Sequence, residues 1–324
     1  MAIFKRYNKI ASDIATGFGV NSENSGGRFV NRDGKPNVEK RGIPLMNRYS
    51  WYHSMLSLPR WKFFLFIFLV YIIVNLLFAL IYNTIGVDHL GGIEKGTFFH
   101  NFIESFFFSA QTFTTVGYGR INPVGYLTSS IAAFEAFLGL LAFALATGLL
   151  FGRFAKPKAY LKFSTNAVIA PFKDSTALMF RLVPFKNNHL SEAEVKVSMA
   201  MRIEEDDRLT NKFFNLPLEI SKINTLSLSW TVVHPIDDRS PLYGFTENDY
   251  KNHYIEIITF FKAFDEDYSN TVVARTSYSN SEIIYGAKFK IMYHPDVSKK
   301  KTILQLDKLN EIENVILHPE PVTS

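Results

Sequence analysis

Two long apolar stretches divide the chain. Phe63 to Tyr82 carries one amide, Asn75, and no charge, while Tyr126 to Phe151 carries a single charge, Glu135. About 20 apolar residues cross the hydrocarbon core of a bilayer as a helix, so each stretch predicts a span, the second one long enough to tilt. Between them, Phe98 to Phe113 is rich in Phe but holds Asn101 and Glu104. It is too short to span and has the length of a re-entrant helix. Beyond Pro157 the pattern changes to period two. In Thr225 to Val233, Leu226, Leu228, Trp230 and Val232 alternate with Ser227, Ser229 and Thr231, and Val195 to Ile203 and His253 to Phe261 also read as strands. Pro235-Ile236-Asp237-Asp238 and Ser240 to Gly244 supply turns. Several short strands with such turns predict a β-sandwich. Ahead of the first span, Asn47 to Leu58 places Tyr49, Trp51, Tyr52, Met55 and Leu56 on one broad helical face. That predicts a helix lying in the membrane interface, broken by Pro59.

The loop between the spans contains Thr114-Thr115-Val116-Gly117-Tyr118-Gly119. In a soluble protein such a string reads as a strand end and a turn. Between two spans it reads differently, because non-helical backbone at membrane depth is tolerated where it is buried in protein or lines a cavity. A pore that selects potassium needs consecutive carbonyls aimed at a narrow axis, where they replace the water shell of the ion. Gly117 and Gly119 can adopt the backbone angles this requires because they lack a Cβ. Thr115 can add its hydroxyl at the inner mouth, with Val116 and Tyr118 pointing outward to pack the filter. K⁺ is then the permeant ion; no cofactor and no other metal is expected.

The chain has 324 residues, a net charge of +5 and no Cys. Zero Cys excludes disulfides, thiolate metal sites and cysteine nucleophiles. Met1 to Arg60 is polar and holds no signal peptide. The placement of charge matters more than its size. Arg41, Arg48, Arg60 and Lys62 precede the first span, and Arg153, Lys156, Lys158 and Lys162 follow the second, whereas the loop between holds only Lys95 and Arg120. The positive-inside rule then puts both termini in the cytoplasm of a cell-membrane protein, with the filter loop entering from outside. A P-loop, a nucleophile elbow, a zinc-protease motif and a dinucleotide fingerprint are all missing, so an enzyme is not expected, nor is a nucleic-acid partner. A membrane-anchored scaffold has no use for an intact filter, and a transporter subunit of the kind with several filter-like loops would need a longer chain.

The order of elements resembles the inward-rectifier potassium channel family, especially its prokaryotic branch. The resemblance runs over roughly residues 28–295. It rests on Trp230 to Asp237 with Ser240-Pro241-Leu242-Tyr243-Gly244, on Ala274-Arg275-Thr276-Ser277-Tyr278, on Leu178-Met179-Phe180-Arg181 and on Arg28-Phe29-Val30 with Asp33-Gly34 and Asn37-Val38. It implies a homotetramer with a membrane α pore unit and an immunoglobulin-like cytoplasmic β-sandwich. The expected division is 1–46 N-terminal cytoplasmic segment, 47–58 interfacial slide helix and 61–83 outer span. Then follow 98–119 pore helix and filter, 126–155 inner span and 158–318 sandwich. The leading strand near Arg28 is expected to pair with the C-terminal domain.

By the same resemblance Phe151 sits at the inner-helix crossing, where four rings can close a pore by dewetting; packing between helices is the other reading. Gly139 falls where the family bends its inner helix, and a helix-packing glycine fits equally. Arg60, Trp61, Lys62, Arg153, Lys156 and Lys158 resemble the family's phosphoinositide contacts, although snorkelling anchors carry the same charges. Gln111 stands where many relatives have a Glu behind the filter, and Ile121 at the position of its Arg partner. The ion pair is therefore absent, and Gln111 is left to hydrogen-bond the filter backbone. Phe143 replaces the Asp or Asn of strong rectifiers, so block by Mg²⁺ or polyamines, and hence rectification, is expected to be weak. Glu135 faces either the pore helix as a hydrogen-bonding group or the cavity as a cation site, and an intramembrane carboxylate is a functional candidate by default. Glu204-Glu205-Asp206-Asp207 reads as a solvated hairpin turn.

Overall fold

The computed structural model describes residues 17–18, 27–42, 44, 50–155, 157–205 and 208–317. The chain forms two compact units, one of residues 41–156 and one that joins residues 1–40 to 157–324.

In the first unit, α1 (Trp51–Ser57) falls within the segment expected to form an interfacial helix, and Ser50 caps it by accepting from His53 N. Residues 47–49 lie outside the described residues. Pro59 stands at the N-cap of α2 (Arg60–Ile85), where its missing N–H costs nothing. Gly86, at φ 109°, ends α2. The buried residues Asn75, Phe78, Ala79 and Tyr82 fall on one stripe of α2. The other faces carry exposed Phe64, Phe68, Ile73 and Leu77, as a helix bathed in lipid requires.

The loop after α2 forms β1 (Leu90–Gly91), then α3 (Phe98–Phe113), capped by Thr97 accepting from His100 N. The chain returns through β2 (Asn122–Pro123), which pairs antiparallel with β1 as Leu90↔Pro123 and Gly91↔Asn122. A Cβ on Gly92 would come within 1.8 Å of the Arg120 carbonyl oxygen. Glycine there lets the two loop backbones touch. The unit closes with α4 (Tyr126–Phe154), an unbroken 29-residue helix whose buried residues Thr128, Ala132, Glu135 and Gly139 again form one stripe.

In the second unit the strands are β3 (Leu161–Phe163), β4 (Ala167–Phe172), β5 (Ser175–Pro184), β6 (Leu190–Glu205), β7 (Arg208–Asn215), β8 (Lys222–Thr225) and β9 (Trp230–Ile236). After the short helix α5 (Glu247–Asn252) come β10 (Ile255–Asp265), β11 (Asn270–Ser279) and β12 (Ile283–Tyr285). One five-stranded sheet runs β11-β10-β6-β7 with β8 also on β6, and the other runs β12-β4-β5-β3 with β9 also on β5. Leu178, Phe180 and Leu182 of one sheet share a core with Val195, Val197, Met199, Ile257 and Phe261 of the other. Asp206 and Asp207 lie outside the described residues, while β6 and β7 pair up to Glu205↔Arg208.

The alternation read over Thr225–Val233 as one strand is two strands. β8 ends at Thr225 in the first sheet, and β9 begins at Trp230 in the second. Ser227–Ser229 is the passage between sheets, so Leu226 is buried while Leu228 is exposed. A period-two pattern does not reveal which partner each half finds.

The N-terminal segment also differs from expectation. Val30 bridges Pro36 within its own turn rather than a strand of the sandwich. The buried Glu256 carboxylate accepts from Phe29 N at 2.7 Å and Val30 N at 3.0 Å. Arg28 pairs with Glu282 at 2.8 Å, and Phe29 meets Phe213 edge-on. Side chains therefore take up the amides that a strand ladder would have used.

His234 is buried between two partners, with Nδ1 2.6 Å from Pro217 O and Nε2 2.8 Å from Ser240 Oγ. Burial lowers its pKa below the ordinary value. The unfolded chain then binds a proton that the folded one refuses. His234 contributes full stability above the unfolded pKa of about 6.5, and that contribution is lost as the pH falls below it. The melting midpoint of the purified protein should fall on acidification through that window, and His234→Gln should flatten the dependence.

Candidate ion-conduction site

Backbone geometry defines the site. α3 ends at Thr114, and the next residues alternate in hand: Thr115 has φ 56°, Gly117 57° and Gly119 84°. Alternating right- and left-handed residues turn successive N–H groups to one side and carbonyls to the other. The amides are used. Val116 N donates to Gln111 O at 2.9 Å, Gly117 N to the same oxygen at 3.2 Å and Thr115 N to Thr112 O at 3.0 Å. Among the described residues no protein donor reaches a carbonyl from Thr114 to Gly119. The residues also sort by parity. Val116 and Tyr118 line a depression with Tyr71 and Phe107, whereas Thr115, Gly117 and Gly119 line another with Thr112. The sequence flagged the glycines and missed the left-handed Thr115, a conformation that costs a non-glycine residue.

Gln111 hydrogen-bonds the backbone on either side of the filter's end. Its Oε1 accepts from Tyr118 N at 3.2 Å, and its Nε2 donates to Ile121 O at 3.4 Å. Ile121 is buried and makes no ion pair. A different ion pair stands beside the filter, where Arg120 Nη2 meets Glu104 Oε2 at 2.7 Å. The pair ties the residue after the filter to the second turn of α3. The lone Glu on α3 and the lone Arg of the loop were the signal for it.

Glu135 faces the pore helix and is fully buried. It receives Tyr82 OH at 2.6 Å and touches Ser109 Oγ, which is also 2.9 Å from Asn75 Oδ1. One cluster thus draws on α2, α3 and α4. Neither Ser109 nor Tyr82 stood out in the sequence, since isolated hydroxyls in apolar runs look incidental. Gly139 lies under the end of α3, where a Cβ would meet the Phe113 carbonyl oxygen at 1.9 Å. Close packing thereby explains the glycine within a continuous helix.

At the other end of α4, Phe143 and Phe151 are both 73% exposed in the single chain. Arg153 does not project freely. Its guanidinium donates to Met55 O and Leu58 O, each at 2.6 Å, and lies 4.5 Å from the Phe63 ring centroid. It caps the last carbonyls of α1, and Gly152 lets Tyr52 and Leu56 come close. Arg60, Trp61 and Lys62 are exposed on the first turn of α2, with Lys62 Nζ 5.4 Å over the Trp61 ring. Lys158 is exposed at the start of the second unit. Lys156 lies outside the described residues.

Two helices, Arg60–Ile85 and Tyr126–Phe154, are long and apolar enough to cross a membrane. Residues 161–323 match the family described as inward rectifier potassium channel C-terminal domain, and residues 61–156 match the family described as ion channel. Over 290 residues the chain is 34% identical to the inward rectifier potassium channel Kirbac3.1 of Paramagnetospirillum magnetotacticum, covering 88% of this chain and 95% of that one. The chain belongs to the inward rectifier potassium channel family. Animal members are more distant. The human G protein-activated inward rectifier potassium channel 4 is 28% identical over 81% of this chain and 67% of its own length. The mouse ATP-sensitive inward rectifier potassium channel 12 is 28% identical over 81% and 66%.

Within this family site, Gly139→Ala tests the packing role. The added methyl forces α3 to shift, a cost of about 1–3 kcal/mol for overpacking. The melting midpoint of the purified protein should fall. An unchanged midpoint with altered flux would return Gly139 to the hinge reading.

Proposed function

We propose that the chain is the subunit of a potassium-selective channel of the inward-rectifier type, conducting K⁺ passively through a homotetrameric pore in the cell membrane. The observation that carries this reading is the row of carbonyls from Thr114 to Gly119 that no protein donor reaches among the described residues, backed by the amides of Thr114 to Tyr118, which bond to the pore helix. A dehydrated K⁺ needs such oxygens, and four copies around an axis supply them. The exposed apolar faces of α4 are left for neighbouring copies to cover.

Phe151 is assigned to the gate and Gly139 to the point about which α4 would bend. Anionic phosphoinositide-like lipid is assigned to Arg60, Trp61, Lys62, Lys156 and Lys158, which keep both termini cytoplasmic by their charge. Arg153 is assigned to the same lipid set and also links α1 to the end of α4, since two of its five N–H donors go to Met55 O and Leu58 O. Phe143 offers no charge to hold Mg²⁺ or polyamines, so rectification is weak.

Cation flux into liposomes tests the reading. K⁺ and Rb⁺ should enter, Ba²⁺ should block and Na⁺ should be excluded, with anionic phosphoinositide changing the rate. Gly117→Ala should abolish flux while leaving the sandwich folded; normal flux in that variant would remove the filter assignment. Phe151→Ala should raise basal flux, and unchanged flux would leave Phe151 as packing. Phe143→Asp should introduce voltage-dependent block by internal Mg²⁺ or polyamine, and no block would place Phe143 away from the pore axis.

A further inference from the structure

The cluster around Glu135 can be counted hydrogen by hydrogen. Three contacts meet there: Tyr82 OH to Glu135 Oε2 at 2.6 Å, Ser109 Oγ to Asn75 Oδ1 at 2.9 Å, and Ser109 Oγ to Glu135 Oε1. Asn75 cannot be turned round, because its Nδ2 donates to Tyr71 O at 2.7 Å and a flipped amide would set two oxygens against each other. Asn75 therefore presents an acceptor to Ser109. An ionised Glu135 also presents only acceptors. Ser109 has one hydrogen, so one of its two contacts would face oxygen to oxygen with nothing between.

We infer that Glu135 is a neutral carboxylic acid in the folded protein, its proton on Oε1 donated to Ser109, and that in this form it positions the pore helix. With that proton every contact is satisfied in one direction. Tyr82 donates to Glu135, Glu135 to Ser109, Ser109 to Asn75, and Asn75 to the Tyr71 carbonyl. Chains of this kind polarise and strengthen each other in a low dielectric. The surroundings agree. Glu135, Ser109 and Asn75 are all fully buried in a unit with two spanning helices. Among the described residues no Lys or Arg forms an ion pair with Glu135. A bare carboxylate there would bear the full cost of desolvation, whereas a hydrogen-bonded acid does not.

The acid joins three helices at one point. Ser109 sits four residues before Phe113, the last residue of α3, so a fixed Ser109 fixes the helix end from which Gln111 holds the filter amides. Glu135 thus does from inside α4 what an ion pair behind the filter would do.

Part of the test rests on the channel reading and part does not. Infrared spectroscopy of the purified protein at neutral pH should show the carbonyl band of a protonated carboxyl. Tyr82→Phe, which removes the donor to Oε2, should move that band, and Glu135→Gln should delete it. No such band, or one that neither variant touches, overturns the inference whether or not the protein conducts. In liposomes Glu135→Ala should lower the K⁺/Na⁺ flux ratio about tenfold, the scale of one lost buried hydrogen-bond partner. Gln reproduces the acid's pattern, with its amide donating to Ser109 and its oxygen accepting from Tyr82, and should rescue the ratio to within about twofold by the same scale. A Gln variant as impaired as the Ala variant would mean that the negative charge is what matters, and the neutral-acid assignment would fall.

Discussion

Everything in the membrane unit follows from one requirement, that the carbonyls of Thr114 to Gly119 stay unpartnered by protein while the amides of Thr114 to Tyr118 are taken up by the pore helix. A peptide group buried without a partner costs free energy, and six in a row would collapse onto each other without support. The support comes from behind. Gln111 takes up the amides of Val116, Gly117 and Tyr118 through its own carbonyl and side chain. The glycines and Thr115 accept the left-handed angles that this one-sided arrangement demands. The filter is as well placed as α3 is.

The remaining contacts of the unit serve that placement. The Arg120–Glu104 pair and the β1–β2 bridge hold the outer end of the loop. The Glu135 cluster and the close approach of Gly139 to Phe113 hold the inner end of α3 against α2 and α4. Different chemistry is used at each depth. A charged pair stands where Arg120 is half exposed. Hydrogen bonds among uncharged groups stand where the site is dry, and an unpaired charge there would be costly.

At the far end of α4 the same economy appears in Arg153. By sequence it was one more cation at the membrane surface. In the structure its donors satisfy the last carbonyls of α1, which no intrahelical amide can reach. α1 and the helix bearing Phe151 are thereby tied by hydrogen bonds from one side chain. In the other unit Glu256 plays a comparable part, since its carboxylate seats the amides of Phe29 and Val30 on the sandwich.

The sequence alone determined the two spans, the re-entrant helix between them, the filter string and the change to a β-sandwich beyond Pro157, because those depend on hydropathy and period along the chain. It also pointed to Gln111 as a hydrogen-bonding support, since an amide has nothing else to offer there. Only the tertiary structure decided which face of each span is inward. Both spans are apolar nearly all round, so the stripe Asn75, Phe78, Ala79, Tyr82 has no counterpart in the hydropathy pattern. The same holds for the strand break at Ser227–Ser229, the left-handed Thr115, the Arg153 cap and the partners of Glu135. Each depends on which residues distant in sequence meet in space, and a one-dimensional pattern of polarity does not contain that information.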